Sequence, residues 1–326
     1  MYKRIRIGVL GCANIAIKSI IPEIISNEKY YKLIGVASRD KVNAEYIANK
    51  FSTKAFFDYD SLINHGEIDA IYIPLPNSLH YYWIKKALEN NLHVLVEKSL
   101  ACNLNDVTSL VELAERKKLV LMENFQFRFH EQLQYIKKVI NDGIIGDIRL
   151  IQSSFGFPPF NDHDNIRYKK ELGGGSLLDA GAYPLRITQE IIGDELVVES
   201  ALLNIDPQFD VDIWGAAQLR SAKSNIISQV SFGFDNFYQC KIEVWGSKGL
   251  IIADRVFTAP SNYEARVVVK ISGIENDIDR TFVDNHFKNM LLYFYQLTNN
   301  EALRVAEGKM NIQQAKVISE IMEINN

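Results

Sequence analysis

Apolar runs of strand type recur through the first half of the chain, at residues 4–10, 33–37, 55–57, 70–73, 93–96 and 119–122. Segments with helical spacing lie between most of them: Val42, Tyr46, Ile47 and Phe51; Trp83, Ile84, Ala87 and Leu88; Leu104, Val107, Leu110, Val111 and Ala114. The connection at residues 60–65 has room for only one or two helical turns. The strands are apolar throughout rather than alternating, as a sheet covered on both faces requires. Repeated strand–helix–strand units of this kind predict a parallel, doubly wound sheet over residues 1–122.

From residue 123 the pattern changes. Helical spacing appears at 132–140 and 175–192, and then period-two alternation takes over. Ile226, Ser228, Val230, Phe232 and Phe234, then Tyr238, Cys240, Ile242 and Val244, fall on one face; Gln229, Ser231, Gln239, Lys241 and Glu243 fall on the other. This predicts a large open, mostly antiparallel sheet with helices on one face. Helical segments at 287–297 and 312–324 close the chain. The fold class is therefore α/β, with a dinucleotide-binding domain at 1–122 and a substrate-binding and oligomerisation domain at 123–326.

The 326 residues, 47% hydrophobic and 23% charged, fit two soluble domains at about 150 residues each. No apolar run approaches membrane-spanning length, and the start shows no secretory signal, so a cytoplasmic protein is expected. Cys12, Cys102 and Cys240 are too few and too scattered for a disulfide framework or a zinc knuckle. Thirty-six basic against forty acidic residues, net −4, leave no positive excess for nucleic acid. The six histidines form no H-x-x-x-H or H-E-x-x-H arrangement, so no metal is expected.

The first strand ends in Gly11-Cys12-Ala13-Asn14-Ile15-Ala16, a G-x-A-x-x-A variant of the dinucleotide fingerprint. Small residues there let the backbone approach a pyrophosphate at a helix N-terminus. The second strand runs into Ser38-Arg39-Asp40. Ser38 and Arg39 suit a ribose 2′-phosphate, so NADP(H) is the expected cofactor; Asp40 keeps NAD open if it occupies the acceptor position instead.

Residues 73–80 include Pro74, Leu75, Asn77 and His80, and residues 94–100 include Glu97 and Lys98. With residues 11–16, 123–130 and 173–184, these blocks resemble the signature of the glucose–fructose oxidoreductase/inositol dehydrogenase (Gfo/Idh/MocA) family, in order and over essentially the whole chain. The resemblance implies a Rossmann domain, a C-terminal α/β domain and catalysis in the cleft between them. It implies cofactor contacts from Pro74, Leu75, Asn77, His80, Glu97 and Lys98. The family's usual Glu-Lys-Pro reads Glu97-Lys98-Ser99 here. A lysine at the carboxyl end of a parallel strand is placed to hydrogen-bond a reacting oxygen and stabilise the charge that develops on it. Glu97 orients that lysine or binds the cofactor.

In residues 173–184, Asp179 and Tyr183 stand four apart on one helical face, with Ala180, Gly181 and Ala182 leaving room beside them. Pro184 removes a helical N–H, so a local distortion is expected. The resemblance places Asp179 and Tyr183 toward nicotinamide and substrate, and a tyrosine where the inositol dehydrogenase type has histidine suits proton donation. Residues 165–175 with 179–186, and residues 244–249 with 254–258, resemble the nucleotide-deoxysugar 3-ketoreductase branch. That implies a keto-sugar substrate linked to a nucleoside diphosphate, with Lys98, Arg167, Tyr168, Asp179 and Tyr183 at the substrate. Arg167, Lys169 and Lys170 could hold a diphosphate or form an ordinary solvated loop. Phe125, Phe127 and Phe129 are either an aromatic wall or core. Two other readings stand beside this one: a dehydrogenase of a free sugar, polyol or trans-dihydrodiol, and a non-catalytic dinucleotide sensor. The open sheet of the second domain is expected to bury a large apolar face against a partner subunit, giving a homodimer or a homotetramer.

Overall fold

The structure, a computed structural model, describes residues 3–193 and 195–325. By its internal packing the chain forms two units: residues through Asn124 together with Phe287–Ile312, and Phe125–His286 together with the C-terminal residues from Gln313.

In the first unit, β1 (Ile5–Leu10), β2 (Tyr31–Ala37), β3 (Lys54–Phe56), β4 (Ala70–Ile73), β5 (His93–Glu97) and β6 (Leu121–Asn124) form one sheet in the order β3-β2-β1-β4-β5-β6. All neighbours are parallel. Each residue of β4 is fully buried, which accounts for its unbroken apolar sequence. The crossovers are α1 (Ile21–Ser26), α2 (Lys41–Lys50), α3 (Tyr59–Ile63), α4 (Asn77–Glu89) and α5 (Leu104–Lys117). Asp40, Asp58 and Asn103 cap α2, α3 and α5 through their side chains, each such cap contributing about 1 kcal/mol.

The second unit contains α6 (Glu131–Asn141), β7 (Ile148–Gly156), α7 (Ala182–Ile192), β8 (Leu196–Asp206), β9 (Val211–Ser221), β10 (Ile227–Gly233), β11 (Gln239–Gly246), β12 (Gly249–Asp254), β13 (Ala265–Ile271) and β14 (Ile278–Phe282). Its eight strands run β14-β13-β12-β11-β7-β10-β9-β8. All neighbours are antiparallel except β7 and β10. The inner face packs on Leu133 and Ile136 of α6, Leu185 and Ile187 of α7, and Val317, Ile318 and Ile321 near the C-terminus.

Two expectations are corrected. The outer sheet face is not a broad apolar surface: its centre is a ladder in which Gln152 donates to Gln229 (2.9 Å) and Ser154 meets Ser231 (2.8 Å). Apolar exposure on that sheet is confined to scattered residues such as Leu202, Trp214 and Trp245. The C-terminal helices also divide differently. α8 (His286–Thr298) and the start of α9 (Glu301–Ile324) group with the first unit. There the Tyr31 hydroxyl donates to Leu291 O (2.5 Å) and Asn311 Nδ2 to Leu121 O (3.2 Å). α9 begins at Glu301 rather than near 312, because Ala302, Leu303 and Arg304 are strong helix formers without an extended apolar stripe. Among the described residues no helix is long and apolar enough to cross a membrane.

Candidate active site

The strand order of the first unit reverses between β1 and β4, and ligands of open α/β sheets bind outside the carboxyl ends at such a point. Gly11 follows β1 at φ +129°, a conformation closed to other residues, and a Cβ there would lie 2.9 Å from Leu75 Cδ2. Cys12 and Ala13 lead into a helix that starts at Asn14 and Ile15, widens to a π-turn at Ala16–Ile20 and continues as α1; Ala13 O accepts its first bond, from Ile17 N–H at 3.2 Å. Its amino-end N–H groups are left to water or an anionic ligand, and the small side chains give the anion room, so this turn fits a dinucleotide pyrophosphate.

Ser38 directly follows β2, and its hydroxyl accepts from Asp40 N–H at 3.2 Å. Asp40 Oδ1 accepts from Asn43 N–H at 3.2 Å, so this carboxylate is engaged in capping α2. Arg39, exposed beside them, interacts with the Tyr59 hydroxyl, whose pKa burial raises and Arg39 partly restores. This arrangement favours a phosphate over a ribose diol at the end of β2. Arg39→Ala should weaken NADPH binding about 10–100-fold, the loss of a charge-assisted hydrogen bond worth about 1.5–3 kcal/mol, and leave NADH binding unchanged. Calorimetric titration of both cofactors checks this; equal weakening of the two would contradict it.

Lys98 follows β5 in a turn held on both sides. The Lys98–Ser99 peptide is cis. The ring of His80, fully buried at the start of α4, has Nδ1 2.8 Å from Ser99 O and Nε2 2.7 Å from Leu75 O. Burial lowers its pKa to about 4. The neutral ring donates from one nitrogen only, to Ser99 O or to Leu75 O, and rests against the other carbonyl, so it is wedged between the Leu75 turn and the Lys98 turn. Beyond Lys98, Leu100 N–H donates to buried Glu123 Oε1 (2.8 Å). Glu97 Oε1 accepts from Tyr72 Oη and Asn124 Nδ2, each at 2.6 Å. Burial raises the Glu97 pKa, and these two donors act against that rise. Pro74 and Asn77 flank Leu75 at the entry to α4.

In the second unit, Asp179 lies in a π-helical turn, Leu177–Gly181, which runs straight into α7. The distortion expected beside Pro184 is this widened turn. Asp179 Oδ2 accepts from Arg167 Nε at 2.5 Å, and Arg167 also lies over the Phe160 ring. Lys169 pairs with Asp164 and Lys170 with Asp210. All three basic residues read as a possible diphosphate cradle are thus paired with carboxylates, and Arg167 is the partner of Asp179. Tyr168 is also reassigned: it is buried, stacked 4.4 Å from Phe209, and accepts from Phe160 N–H (3.1 Å), so it builds the loop's own small core. Tyr183 is buried and packs against four rings, those of Phe125, Phe127, Phe155 and Phe257. Phe125 and Phe127 are fully buried core. Among the described residues, no group of three or more His, Cys, Asp or Glu is arranged to hold a metal ion.

The sequence reading missed the roles of Tyr72, Glu123, Asn124 and Asp212. Tyr72 and Asp212 are polar residues between apolar strand neighbours, and Glu123 and Asn124 close an otherwise apolar strand; that contrast was the available signal.

The profile of the GFO/IDH/MocA oxidoreductase family, NAD-binding Rossmann fold, matches residues 5–125, and that of the GFO/IDH/MocA C-terminal domain matches residues 133–252. Over 326 aligned residues the chain is 35% identical to a dTDP-3,4-didehydro-2,6-dideoxy-alpha-D-glucose 3-reductase of Saccharopolyspora spinosa, covering 98% of this chain and 97% of that one. A 3-ketoreductase from Actinomadura kijaniata, solved with NADP and TDP-benzene, superposes with a TM-score of 0.93 at 30% identity, over 99% of this chain and 98% of its own. The same relative has been solved with a lysine replaced by alanine and with a tyrosine replaced by phenylalanine. The fingerprint turn, the lysine turn and the Asp179–Tyr183 helix thus occur in a chain that belongs to the Gfo/Idh/MocA family of oxidoreductases.

Proposed function

We propose that this protein is an NADPH-dependent reductase of the C3 keto group of a deoxyhexose linked to a nucleoside diphosphate. The observation that carries this reading is the end-to-end likeness to a dTDP-sugar 3-reductase, 35% identical over 98% of the chain. When bound, NADPH supplies the hydride to the carbonyl carbon. Residues Gly11, Cys12, Ala13, Asn14 and Ile15 hold its pyrophosphate, Ser38 and Arg39 its 2′-phosphate, and Pro74, Leu75, Asn77 and Glu97 border the remainder.

The Lys98 ammonium hydrogen-bonds the carbonyl oxygen and stabilises the negative charge that gathers there. The Tyr183 phenol O–H delivers the proton to that oxygen. Asp179, steadied by Arg167, accepts a hydrogen bond from a neighbouring sugar hydroxyl. The test is a screen of nucleotide-linked and free keto-sugars followed by NADPH absorbance. Turnover of a nucleotide-linked 3-keto-deoxyhexose is expected, and turnover confined to free sugars or dihydrodiols would reject the assignment.

The protein works in the reducing cytoplasm, in keeping with its three free cysteines. Two copies pair through the outer face of the eight-stranded sheet, which carries the Gln152–Gln229 and Ser154–Ser231 ladder and scattered exposed residues such as Leu202 and Trp214. Light scattering at micromolar concentration should give twice the chain mass, or four times if the dimers pair again. A monomer would contradict the pairing.

A further inference from the structure

Asp212 lies in β9 where simple alternation would turn it outward. Trp214, Ala216 and Gln218 are all exposed along that strand, and the same parity includes Asp212. Asp212 is instead buried, at 8% exposure. The register shows why: Asn204 pairs with Trp214 but the next residue, Ile205, pairs with Asp212, so Ile213 is an extra residue in β9. A bulge of this kind re-aims the side chain beside it.

The re-aimed carboxylate reaches the start of the helix that carries Asp179 and Tyr183. Asp212 Oδ2 accepts from Ser176 Oγ (2.7 Å) and from Leu177 N–H (2.6 Å). Ser176 makes no capping bond of its own, so the cap comes from another strand. The backbone is shaped to admit it: Gly175 sits at φ +106°, and a Cβ there would collide with Asp212 Oδ1. The bulge, the two bonds and the glycine are three separate features that converge on one carboxylate.

We infer that Asp212 is a positioning residue for the reduction, capping the Ser176–Leu177 end of the helix so that Tyr183 is held where it delivers its proton. The inference rests on the proposed role of Tyr183, and the test separates the two. Asp212→Leu and Asp212→Asn are made with and without Tyr183→Phe, and kcat, KM for both substrates and urea stability are measured on each. Asp212→Leu should lower kcat about 10–100-fold, the cost of a small misplacement of a reacting group, with KM for NADPH unchanged. Asp212→Asn keeps an acceptor for Leu177 N–H and should recover most of that loss. In the Tyr183→Phe background, Asp212→Leu should cost less than about twofold more, since its effect passes through the missing hydroxyl. If Asp212→Leu does not fold, Ser176→Ala removes one of the two bonds and completes the same cycle. Additive losses, or a folded Asp212→Leu with wild-type kcat, would overturn the inference. Wild-type kcat in the single variant Tyr183→Phe would overturn the role of Tyr183 itself.

Discussion

Lys98→Ala is expected to lower kcat by about 10²–10³, the typical cost of removing one preorganised donor to a developing oxyanion. The dissociation constant for NADPH should stay within about twofold, because the pyrophosphate turn and Ser38–Arg39 are untouched. The reason for so large an effect is the rigidity around the lysine. The His80 ring is wedged between Ser99 O and Leu75 O, Leu100 N–H donates to Glu123, and the preceding Glu97 is fixed by Tyr72 and Asn124. A donor held this way needs little reorganisation as charge appears, so water admitted by the alanine replaces it poorly. Stopped-flow single turnovers, together with fluorescence titration of NADPH, check both halves. A loss of cofactor affinity that accounts for the whole change in turnover would contradict the assigned role.

Glu190→Gln is expected to destabilise the second unit by about 3–5 kcal/mol, because it leaves buried cations without their counter-charge. Glu190 meets Arg128 Nε at 2.6 Å, Lys137 Nζ at 2.5 Å and Arg186 Nε at 3.5 Å. The Arg186 side chain has no exposure at all. Burial pushes the Glu190 pKa up, but Arg128, Arg186 and Lys137 together outweigh it and bring the group down to about 2. A carboxyl whose folded pKa is depressed in this way stabilises the fold above its unfolded pKa of about 4.5, and that contribution fades as the pH falls toward 2. Urea unfolding at pH 7 should therefore show a large loss of midpoint for Glu190→Gln. The gap from wild type should narrow steadily between about pH 4.5 and 2. A variant as stable as wild type at pH 7 would show that the cluster contributes nothing net.

The parallel sheet was legible because its central strands β1, β4 and β5 are buried on both faces, and burial of that kind writes itself as unbroken apolar runs such as Ile71-Tyr72-Ile73. The fingerprint turn and Lys98 were legible for a related reason: their places at strand ends follow from the strand pattern. The grouping of α8 with the first unit was not, since the apolar stripe of Met290, Leu291, Phe294 and Leu297 is the same whichever sheet it covers. Nor was the pairing of Arg167 with Asp179, which depends on the path of an irregular loop. The inward turn of Asp212 was hidden most completely, because a one-residue bulge reverses the parity that sequence alternation reports. The outer sheet face misled in the opposite direction. Period-two alternation correctly separated its two faces, but the polar series proved to be a hydrogen-bonded glutamine and serine ladder rather than the reverse of an apolar surface.

The central claim, reduction at C3 of a nucleotide-linked keto-sugar, is tested most directly by following the hydride. The enzyme is incubated with NADPH carrying deuterium at the transferable position and with a thymidine-diphosphate-linked 3-keto-deoxyhexose made in situ, and the product is read by NMR. The expected result is one deuterium at C3 of the sugar, absent when Lys98→Ala replaces the wild type over the same interval. Deuterium at any other carbon, or none with this substrate while a free sugar exchanges label with the cofactor, would contradict the account.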